Sequence, residues 1–398
     1  MQQFIGQLTG VRFIAAAWVM LYHFQAPLAK LGLLIPVVHE FARVGRLGVD
    51  LFFALSGFIL THTYLTKLGP KLGWTGSWRF WWLRLARIYP VHFVMLNVAG
   101  IAVVAQQKFG SADSSSRDWL NPLDYIKQVL LVHEWGPNPQ RGWNFPAWSL
   151  SMEWLAYLLF PLLVLVLFRF RDRLSTHVLM ACWVGVLIPL LWYGAAYKGD
   201  PYYISGWGST IRILTEFTAG AITYLIARRY FDDGHDPRPR VERLATTLSV
   251  AMPVTIVLAS VVLGNVKAWQ WPQDAGDLPP QYHLELVPLL IVWIGALSLS
   301  RRGLARYLST ERLVLGGFIS YSLYMTHTVW YGLWRTGIKA AGINGGVLYA
   351  LATVALFVGA VGIAWLMWRF VEEPAREWMR SRIGARPKPA EELALEEH

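Results

Sequence analysis

The stretch LTGVRFIAAAWVMLYHF, residues 8–24, is apolar enough to cross a lipid bilayer, yet it contains Arg12 and His23. A charged side chain at the bilayer centre costs about 2.5 to 3.5 kcal/mol or more, so such residues are rare in membrane helices without a partner or a role. Eleven residues of an α-helix make about three turns and roughly 20° more, so these two residues share one face. The stretch therefore predicts a membrane helix whose polar face lines a path through the protein. The alternatives are that Arg12 snorkels to the headgroups and that His23 is a hydrogen-bonded packing residue.

Apolar stretches of similar length recur along the whole chain of 398 residues, of which 55% are hydrophobic and 15% are charged. About 20 apolar residues in an α-helix span the hydrocarbon core of a bilayer. The candidate segments are residues 8–28, 45–66, 88–107, 153–168, 178–197, 211–227, 244–264, 285–300, 313–334 and 345–368. The alternating pattern of a membrane barrel does not recur. The sequence predicts an all-α, polytopic membrane protein with about ten transmembrane helices.

The cationic residues predict how the helices are oriented. The formal net charge is +11, and most Lys and Arg residues follow the even-numbered segments or lie in the C-terminal tail. Because cytoplasmic connections carry an excess of Lys and Arg, we expect both termini in the cytoplasm, membrane lipid around the chain and no nucleic-acid partner. A crossing at residues 121–135 would reverse this pattern, so we expect an interfacial or re-entrant segment there. Residues 1–380 would form one membrane-embedded domain, and residues 381–398 a disordered cytoplasmic tail.

Four ionisable residues on different segments are expected in the outer half of the membrane: His23, Asp50, Glu153 and His327. His23 and Asp50 lie at similar distances from the outer ends of their segments, so the carboxylate could orient the imidazole and raise its basicity. Simple hydration near the interface is the alternative for Asp50. Together the four predict a buried polar site open to the outside. The single cysteine, Cys182, lies in an apolar segment, so we expect no thiolate cluster and no metal.

The inner side is expected to be basic. Arg84 and Arg87 lie one helical turn apart in WRFWWLRLARIYP, residues 78–90, and could hold phosphate oxygens. Positive-inside anchoring beside tryptophans is the plainer alternative. Glu372, near the last segment, could contribute only an ion pair that closes the final helix. Ser56 and Gly57 are small and favour close packing of helices.

Six sequence blocks combine these residues in a fixed order between residues 8 and 378. They are the Arg12 to His23 spacing, GRLGVDLFFALSGFIL with Asp50 and Ser56, RLARIYP with Arg84 and Arg87, WSLSMEW with Trp148, Ser149 and Glu153, SYSLYMTH with Tyr321 and His327, and VEEP with Glu372 and Pro374. Each block alone is weakly specific, but the ordered set resembles acyltransferase family 3, the integral membrane O-acyltransferases that modify bacterial cell-surface carbohydrates.

The resemblance implies a multi-pass enzyme of the bacterial inner membrane that takes an acetyl or other short acyl group from cytoplasmic acetyl-CoA. The acceptor would be a hydroxyl of an extracytoplasmic carbohydrate or glycolipid. Arg12, Arg84 and Arg87 would hold the CoA phosphates, and His23 with Asp50 would act as general base or carry the acyl group. The remaining matched residues would position the acceptor, complete proton transfer or support the site: Glu153, His327, Ser56, Trp148, Ser149, Tyr321 and Glu372.

Some members of the family carry a C-terminal SGNH-type esterase domain, which this sequence does not show. We therefore expect any transfer step of that kind to use a separate extracytoplasmic transferase partner. Two other functions fit the membrane segments alone. Intramembrane His, Asp and Glu residues are also typical of proton-coupled secondary transporters, although no internal repeat is found. The other is a non-catalytic sensor or scaffold, which leaves the outer polar residues unexplained.

Overall fold

The structure is a computed structural model, and it describes residues 5–108, 121–136, 143–196, 206–232, 236–270 and 282–384. Its α-helices are α1 Gly6–His23, α2 Gln25–Lys30, α3 Pro36–Arg43, α4 Leu47–Leu68, α5 Trp74–Lys108, α6 Pro122–Val129, α7 Ala147–Phe170, α8 Thr176–Ala196, α9 Gly206–Ala227, α10 Pro239–Gln270, α11 Val287–Ser298, α12 Leu304–Leu308, α13 Glu311–Ala340, α14 Gly346–Met367 and α15 Glu373–Ser381. Short 3₁₀ turns are Val44–Arg46, Arg228–Tyr230 and Tyr282–Leu286, and a π-helical turn, Trp368–Glu372, joins α14 to α15.

Within the described residues, each of the ten apolar segments contains a helix, and the first covers both α1 and the start of α2. Among the described residues, six helical stretches are long and apolar enough to cross a membrane: Pro36–Leu68, Trp74–Ala105, Ala147–Phe170, Thr176–Ala195, Pro239–Leu263 and Gly346–Ser381. The only strands found in the described ranges are β1 Phe231–Asp232 and β2 Asp236–Pro237, which pair antiparallel over two residues. The architecture is that of a polytopic helical membrane protein. The predicted tail lies outside the described residues from position 385 onward.

Two helices differ in length from the expectation. Helix α5 begins at Trp74 and not near residue 88, because Pro90 lies inside the helix without ending it. Its 35 residues extend about 52 Å, well beyond the roughly 30 Å hydrocarbon core. The first turns of α5, which carry Arg84 and Arg87, therefore continue directly into the apolar part. Helix α11 has only 12 residues, about 18 Å, so it is shorter than a full crossing.

The segment at 121–135 contains only the eight-residue helix α6, about 12 Å long, which is too short to cross a bilayer. After α6 the chain turns at Leu131, whose φ is +59°, and folds back onto α5 and α7. Gln128 O accepts a hydrogen bond from the ring of His92 (2.8 Å), and Leu131 O accepts one from Ser151 Oγ (2.8 Å). These bonds fix the segment against two long helices, consistent with a re-entrant or interfacial segment.

The centre of the bundle is α4, and several helices lie at its periphery. Over 18 apolar residues of the stretch that includes α4, 83% are buried, against 22% for the same length of α8, 17% for α10 and 28% for α14. Helix α4 packs against α1, α7 and α9, and α1 packs along α13. The outer surfaces of α8, α10 and α14 are exposed and apolar, as expected for helices that face lipid.

Glycines allow the central helices to approach closely. A Cβ atom at Gly57 of α4 would lie 1.9 Å from Phe217 O of α9, and one at Gly220 of α9 would lie 2.0 Å from Ala54 O of α4. Helices α1 and α13 meet in the same way at Gly317, where a Cβ would be 2.2 Å from Thr9 O. The expectation that small residues at this position allow close helix packing is confirmed for Gly57.

Replacing Gly57 with alanine is expected to destabilise the protein, because the added methyl group must push α4 and α9 apart. Overpacking of this kind typically costs about 1 to 3 kcal/mol. Gly185→Ala on α8 is the matched control, since a Cβ there meets nothing within 4 Å. The melting temperature of the two variants in detergent, followed by tryptophan fluorescence, distinguishes them. Equal melting temperatures would contradict the close contact.

Candidate active site

A polar cavity lies between α1, α4, α7 and α13, at the centre of the bundle. Its volume is about 40 Å³, which is room for a few water molecules. Its lining residues are Arg12, Val49, Phe52, Phe53, Ser56, Ser149, Leu150, Glu153, Tyr321 and Tyr324. Five of these belong to the set singled out in the sequence, although they come from four different helices.

Glu153 is the acid of this cavity. Its Oε1 accepts a hydrogen bond from Ser56 Oγ (2.9 Å) and another from the hydroxyl of Tyr157, one helical turn further along α7. Arg12 is an electrostatic neighbour of Glu153 and approaches the ring of Phe52, with its Cζ 5.7 Å from the ring centroid. The cavity therefore offers one cation and one hydrogen-bonded carboxylate in an otherwise aromatic and apolar lining.

His23 and His327 form a pair at one side of the bundle, which we call the histidine pair. His327 Nε2 lies 3.1 Å from His23 Nδ1. His327 Nδ1 lies 2.7 Å from Tyr324 O and 3.2 Å from Leu323 O. A carbonyl oxygen can only accept, so Nδ1 of neutral His327 carries the proton and its Nε2 is the acceptor.

The same argument fixes the tautomer of His23. Its Nδ1 lies 3.0 Å from Val19 O and 3.1 Å from the acceptor Nε2 of His327. Nδ1 must therefore carry the proton of neutral His23, which leaves the lone pair on Nε2 as the basic atom. His327 thus orients His23 in the manner expected of a residue that supports a general base.

Tyr324 connects the histidine pair to the cavity. Its carbonyl accepts the His327 Nδ1 proton, its ring centroid is 6.2 Å from that of Phe52, and its hydroxyl is 2.8 Å from Ser149 Oγ. Ser149 is thereby held on the cavity wall. The sequence offered a signal for Tyr324 that went unused, since it lies one helical turn from both Tyr321 and His327 in SYSLYMTH.

The expected partnership of Asp50 with His23 is wrong. Asp50 Oδ1 accepts hydrogen bonds from Arg212 Nε (3.0 Å) and Arg212 Nη2 (2.7 Å), and Glu216 lies 3.9 Å from the same guanidinium. Asp50 is fully buried. A buried carboxylate is stabilised far better by a guanidinium that donates two N–H groups than by a neutral imidazole. Asp50 therefore neutralises a cation between α4 and α9.

Arg212 also touches the candidate site through Trp148. Its Cζ lies 5.1 Å from the ring centroid of Trp148, the neighbour of Ser149, so the ion pair with Asp50 supports the wall of the cavity from behind. The sequence did contain a signal for this residue. Arg212 and Glu216 stand inside the apolar segment 211–227, where ionisable residues need a reason.

Asp50→Asn is expected to lower the free energy of unfolding. Breaking a buried ion pair usually costs about 3 to 5 kcal/mol, and we expect a loss near the lower end of this range. The cost is limited because Glu216 remains near Arg212. Asp172→Asn is the control, because this side chain is 64% exposed and exposed ion pairs contribute little. Equal resistance of both variants to thermal unfolding in detergent would contradict the role given to Asp50.

Arg87 is held by Glu372. The two side chains form a buried ion pair that joins α5 to the π-helical turn, and Ser322 Oγ of α13 donates to Glu372 Oε2 (2.5 Å). Glu372 therefore ties three distant parts of the chain together. Tyr321 adds a further link, since its hydroxyl donates to Ile88 O of α5 (2.5 Å).

Several arginines surround this junction, and we call them the arginine cluster. Arg84 is buried, with its Cζ 5.9 Å from the ring centroids of Tyr64 and Phe80. The members are Arg12, Arg84, Arg87, Arg376 and Arg380, each an electrostatic neighbour of at least one other. The acids beside them are Glu153, Glu372 and Glu373. The cluster retains an excess of positive charge and could bind an anion. Arg380 was missed in the sequence because no motif marks it.

Comparison with known proteins places the whole arrangement in context. The profile of the acyltransferase domain family matches residues 5–369. The acyltransferase MdmB of Streptomyces mycarofaciens is 26% identical over 97% of this chain and 96% of its own length. A putative O-acetyltransferase of Staphylococcus aureus strain COL, SACOL0978, is 23% identical over 97% of this chain. The peptidoglycan O-acetyltransferase OatA of Listeria monocytogenes is 24% identical over 94% of it.

The chain spans 59% of the staphylococcal relative and 56% of OatA. No solved structure matches the chain. The family profile extends over all four helices that line the cavity and over both helices of the histidine pair. The family match therefore favours an enzyme over the two alternative functions, a transporter and a non-catalytic scaffold. The chain is an acyltransferase that belongs to acyltransferase family 3.

Proposed function

We propose that this protein moves an acetyl or other short acyl group from cytoplasmic acyl-CoA to a hydroxyl of an extracytoplasmic carbohydrate or glycolipid. The observation that carries the proposal is the order of three polar groups through the bundle. The arginine cluster lies at one end, the cavity with Glu153 lies in the middle, and the histidine pair lies at the other end.

The donor end fits an anionic acyl carrier such as CoA. CoA carries several phosphate charges, and arginine binds phosphate through planar, bidentate hydrogen bonds. Arg12 lies on the cavity wall and is within electrostatic range of Arg84 and Arg87. In this proposal Arg84 and Arg376 hold the phosphates, Arg12 directs the thioester into the cavity, and Glu372 fixes Arg87. The cavity must widen when the donor enters, because about 40 Å³ does not hold an acyl-pantetheine arm.

The acceptor end fits general-base catalysis. His23 Nε2 takes the proton of the acceptor hydroxyl, the oxygen attacks the thioester carbonyl, and the C–S bond breaks. The leaving thiolate receives the proton from His23, so protons balance over the reaction. His327 holds His23 in the Nδ1-protonated tautomer throughout. Ser149, Ser56 and Tyr321 line the cavity between the two ends.

His327 is a positioning residue in this proposal, so its substitution has a graded effect. His327→Ala removes one of the two acceptors of the His23 Nδ1 proton and leaves Val19 O. It is expected to lower kcat about 10- to 100-fold, within the range that supporting groups contribute. His327→Gln keeps an acceptor oxygen near the Nε2 position and is expected to recover part of that loss. Initial rates of acyl transfer over a range of acyl-CoA concentrations test this, and equal kcat values for the two variants would contradict it.

The membrane topology that accompanies this function has ten crossings and both termini in the cytoplasm. The support comes from a helix in each of the ten apolar segments, with the short α11 extended by the 3₁₀ turn Tyr282–Leu286, and from the cations at the inner ends. His23 is the last residue of α1, before an outer connection, and His327 lies just past the middle of α13. Arg84 lies in the inner, basic part of α5.

Mass spectrometry of envelope glycans from cells with and without the gene tests the function. The expected result is a base-labile mass increase of one acyl group on a glycan or glycolipid, present only in cells that carry the gene. The same increase should be lost with His23→Ala at equal protein level. Glycan and glycolipid masses that do not depend on the gene would refute the proposal.

A further inference from the structure

The outer end of the histidine pair carries more positive charge than a membrane protein places on that side by default. The residues that follow the two histidines, 24–46 and 328–345, contain Lys30, Arg43, Arg46, Arg335 and Lys339 and a single acid, Glu40. Residues 328–340 are the last part of α13, and the others connect the helices. The positive-inside rule predicts few Lys and Arg residues in short outer connections. These cations therefore need another explanation.

One of them forms an ion pair with Glu40. Arg43 donates to Glu40 through Nε (3.1 Å) and Nη2 (2.7 Å) within α3. The other four are Lys30, Arg46, Arg335 and Lys339, which we call the cationic rim. No acid lies between residues 328 and 345 to offset Arg335 and Lys339, and both side chains are exposed.

Aromatic rings connect each arginine of the rim to the histidine pair, one ring for Arg46 and two rings for Arg335. Arg46 Nη2 donates to the hydroxyl of Tyr22 (2.8 Å), and the Tyr22 ring lies edge-on to His23 with 4.9 Å between centroids. On the other side, Arg335 Cζ is 5.8 Å from the ring centroid of Tyr331. The Tyr331 ring contacts Phe24, which contacts His327, with centroid separations of 5.2 and 6.2 Å.

The two connections also pack on each other. Lys30 Nζ lies 4.6 Å from the ring centroid of Tyr349 at the start of α14, and the Tyr349 ring lies 6.0 Å from that of Trp334. The rim is therefore one surface built from two connections, and its aromatic base rests on the histidine pair.

An exposed aromatic ring completes this surface. Phe145 is 37% exposed, and its ring lies 6.3 Å from that of His23 in an edge-on arrangement. A planar aromatic face next to a general base suits the apolar face of a sugar ring. Cations at 5–6 Å from neighbouring rings suit a carboxylate or phosphate on the same molecule.

We propose that the acceptor is an anionic glycan, carrying a carboxylate or phosphate near the acylated hydroxyl, which the cationic rim binds through Arg46 and Arg335 while Phe145 supports the sugar. The inference rests on the proposed acyl transfer and its topology, and it adds the charge class of the acceptor. The positive charge of the rim attracts a glycan of this kind to the outer side of the histidine pair. The single acid in residues 24–46, Glu40, is paired with Arg43.

The test compares cells that carry the wild-type chain, cells that lack the gene, and cells with Arg46→Gln/Arg335→Gln. Envelope glycans and exported small molecules are separated into anionic and neutral fractions by anion exchange, and base-labile acyl groups are measured in each. The expected result is gene-dependent ester in the anionic fraction, reduced at least tenfold by the double substitution. Arg46→Lys/Arg335→Lys should retain most of the ester because the charge is kept.

Arg306→Gln is the matched control, since this exposed arginine lies on α12 at the opposite end of the bundle. Equal protein level and a single peak on size exclusion establish that the variants fold. Gene-dependent ester in the neutral fraction, or in the anionic fraction but insensitive to the double Gln substitution, overturns the anionic acceptor and leaves acyl transfer intact. No gene-dependent ester in any fraction defeats acyl transfer itself and the acceptor class with it.

Discussion

Replacing His23 with alanine is expected to lower acyl transfer by about 10² to 10⁴-fold, the range that a positioned general base contributes. The reason is the tautomer fixed by the neighbours of His23. Because Nδ1 donates toward Val19 O and His327 Nε2, the free lone pair is on Nε2. No other described histidine is held in this way beside the cavity. The measurement is the initial rate of acyl transfer from acyl-CoA in membranes that contain equal amounts of each variant.

His177→Ala is the matched control for this experiment, since His177 is an exposed histidine near the start of α8. It should leave the rate unchanged, while His23→Ala should lose nearly all of it. A His23→Ala variant with a rate within threefold of wild type would contradict general-base catalysis by the histidine pair. If His23 carried the acyl group covalently, His23→Ala would also lose transfer. Acyl label on the wild-type protein when no acceptor is present distinguishes that mechanism from general-base catalysis.

Arg12→Gln is expected to raise the KM for acyl-CoA by roughly 10- to 100-fold, because a hydrogen bond to a charged group contributes about 1.5 to 3 kcal/mol. Arg12 is the arginine of the cluster that lies on the cavity wall, opposite Glu153. The substitution leaves Glu153 as the only charge in that lining and so makes the cavity repel an anionic donor. Steady-state rates at varied acyl-CoA concentration give the KM.

Two variants sharpen the Arg12 result. Arg12→Lys keeps the charge but loses the planar fork of the guanidinium, so an intermediate KM is expected. Arg240→Gln, at an exposed position before the apolar part of α10, should leave the KM unchanged. An unchanged KM in Arg12→Gln together with a lowered kcat would mean that Arg12 acts on the transition state and not on donor binding.

His23 could be predicted as a functional residue from the sequence, because an ionisable residue is rare in an apolar membrane segment without a partner or a function. The spacing of Arg12 and His23 on one helical face could be read in the same way. Their partners could not. Which helix faces which is decided by packing contacts such as Gly317 against Thr9, and these join positions about 300 residues apart in the chain.

Asp50 shows where the sequence argument failed and why. Its depth in the membrane was a sound guide to its being buried, but depth alone does not identify a partner. Arg212 on α9 is a stronger partner for a carboxylate than His23, and α9 packs against α4 because Gly57 and Gly220 let the backbones touch. A search for a compensating cation in every apolar segment would have pointed to Arg212.

The basic residues of α5 illustrate the opposite case. The one-turn spacing of Arg84 and Arg87 predicted a shared face, and both side chains are buried toward the same junction. The ion pair of Arg87 with Glu372 could not be anticipated, since it joins α5 to a π-helical turn near the end of the chain. The apolar segment 88–107 did not reveal that α5 begins at Trp74, and Pro90 lies inside this helix, because a proline in a long membrane helix can be tolerated by its packing partners.

The most direct test of the central claim, that one path joins an inner donor to an outer acceptor, uses sealed inverted vesicles of the membrane that contains the protein. Labelled acetyl-CoA, which does not cross the bilayer, is added to the outer solution, where the cytoplasmic face is exposed. The account predicts that ester label accumulates on glycans inside the vesicles, where an esterase added outside, which cannot cross the bilayer, removes it only after detergent is present. Label that forms only on the outer surface, or only when acetyl-CoA is sealed inside, would contradict the account.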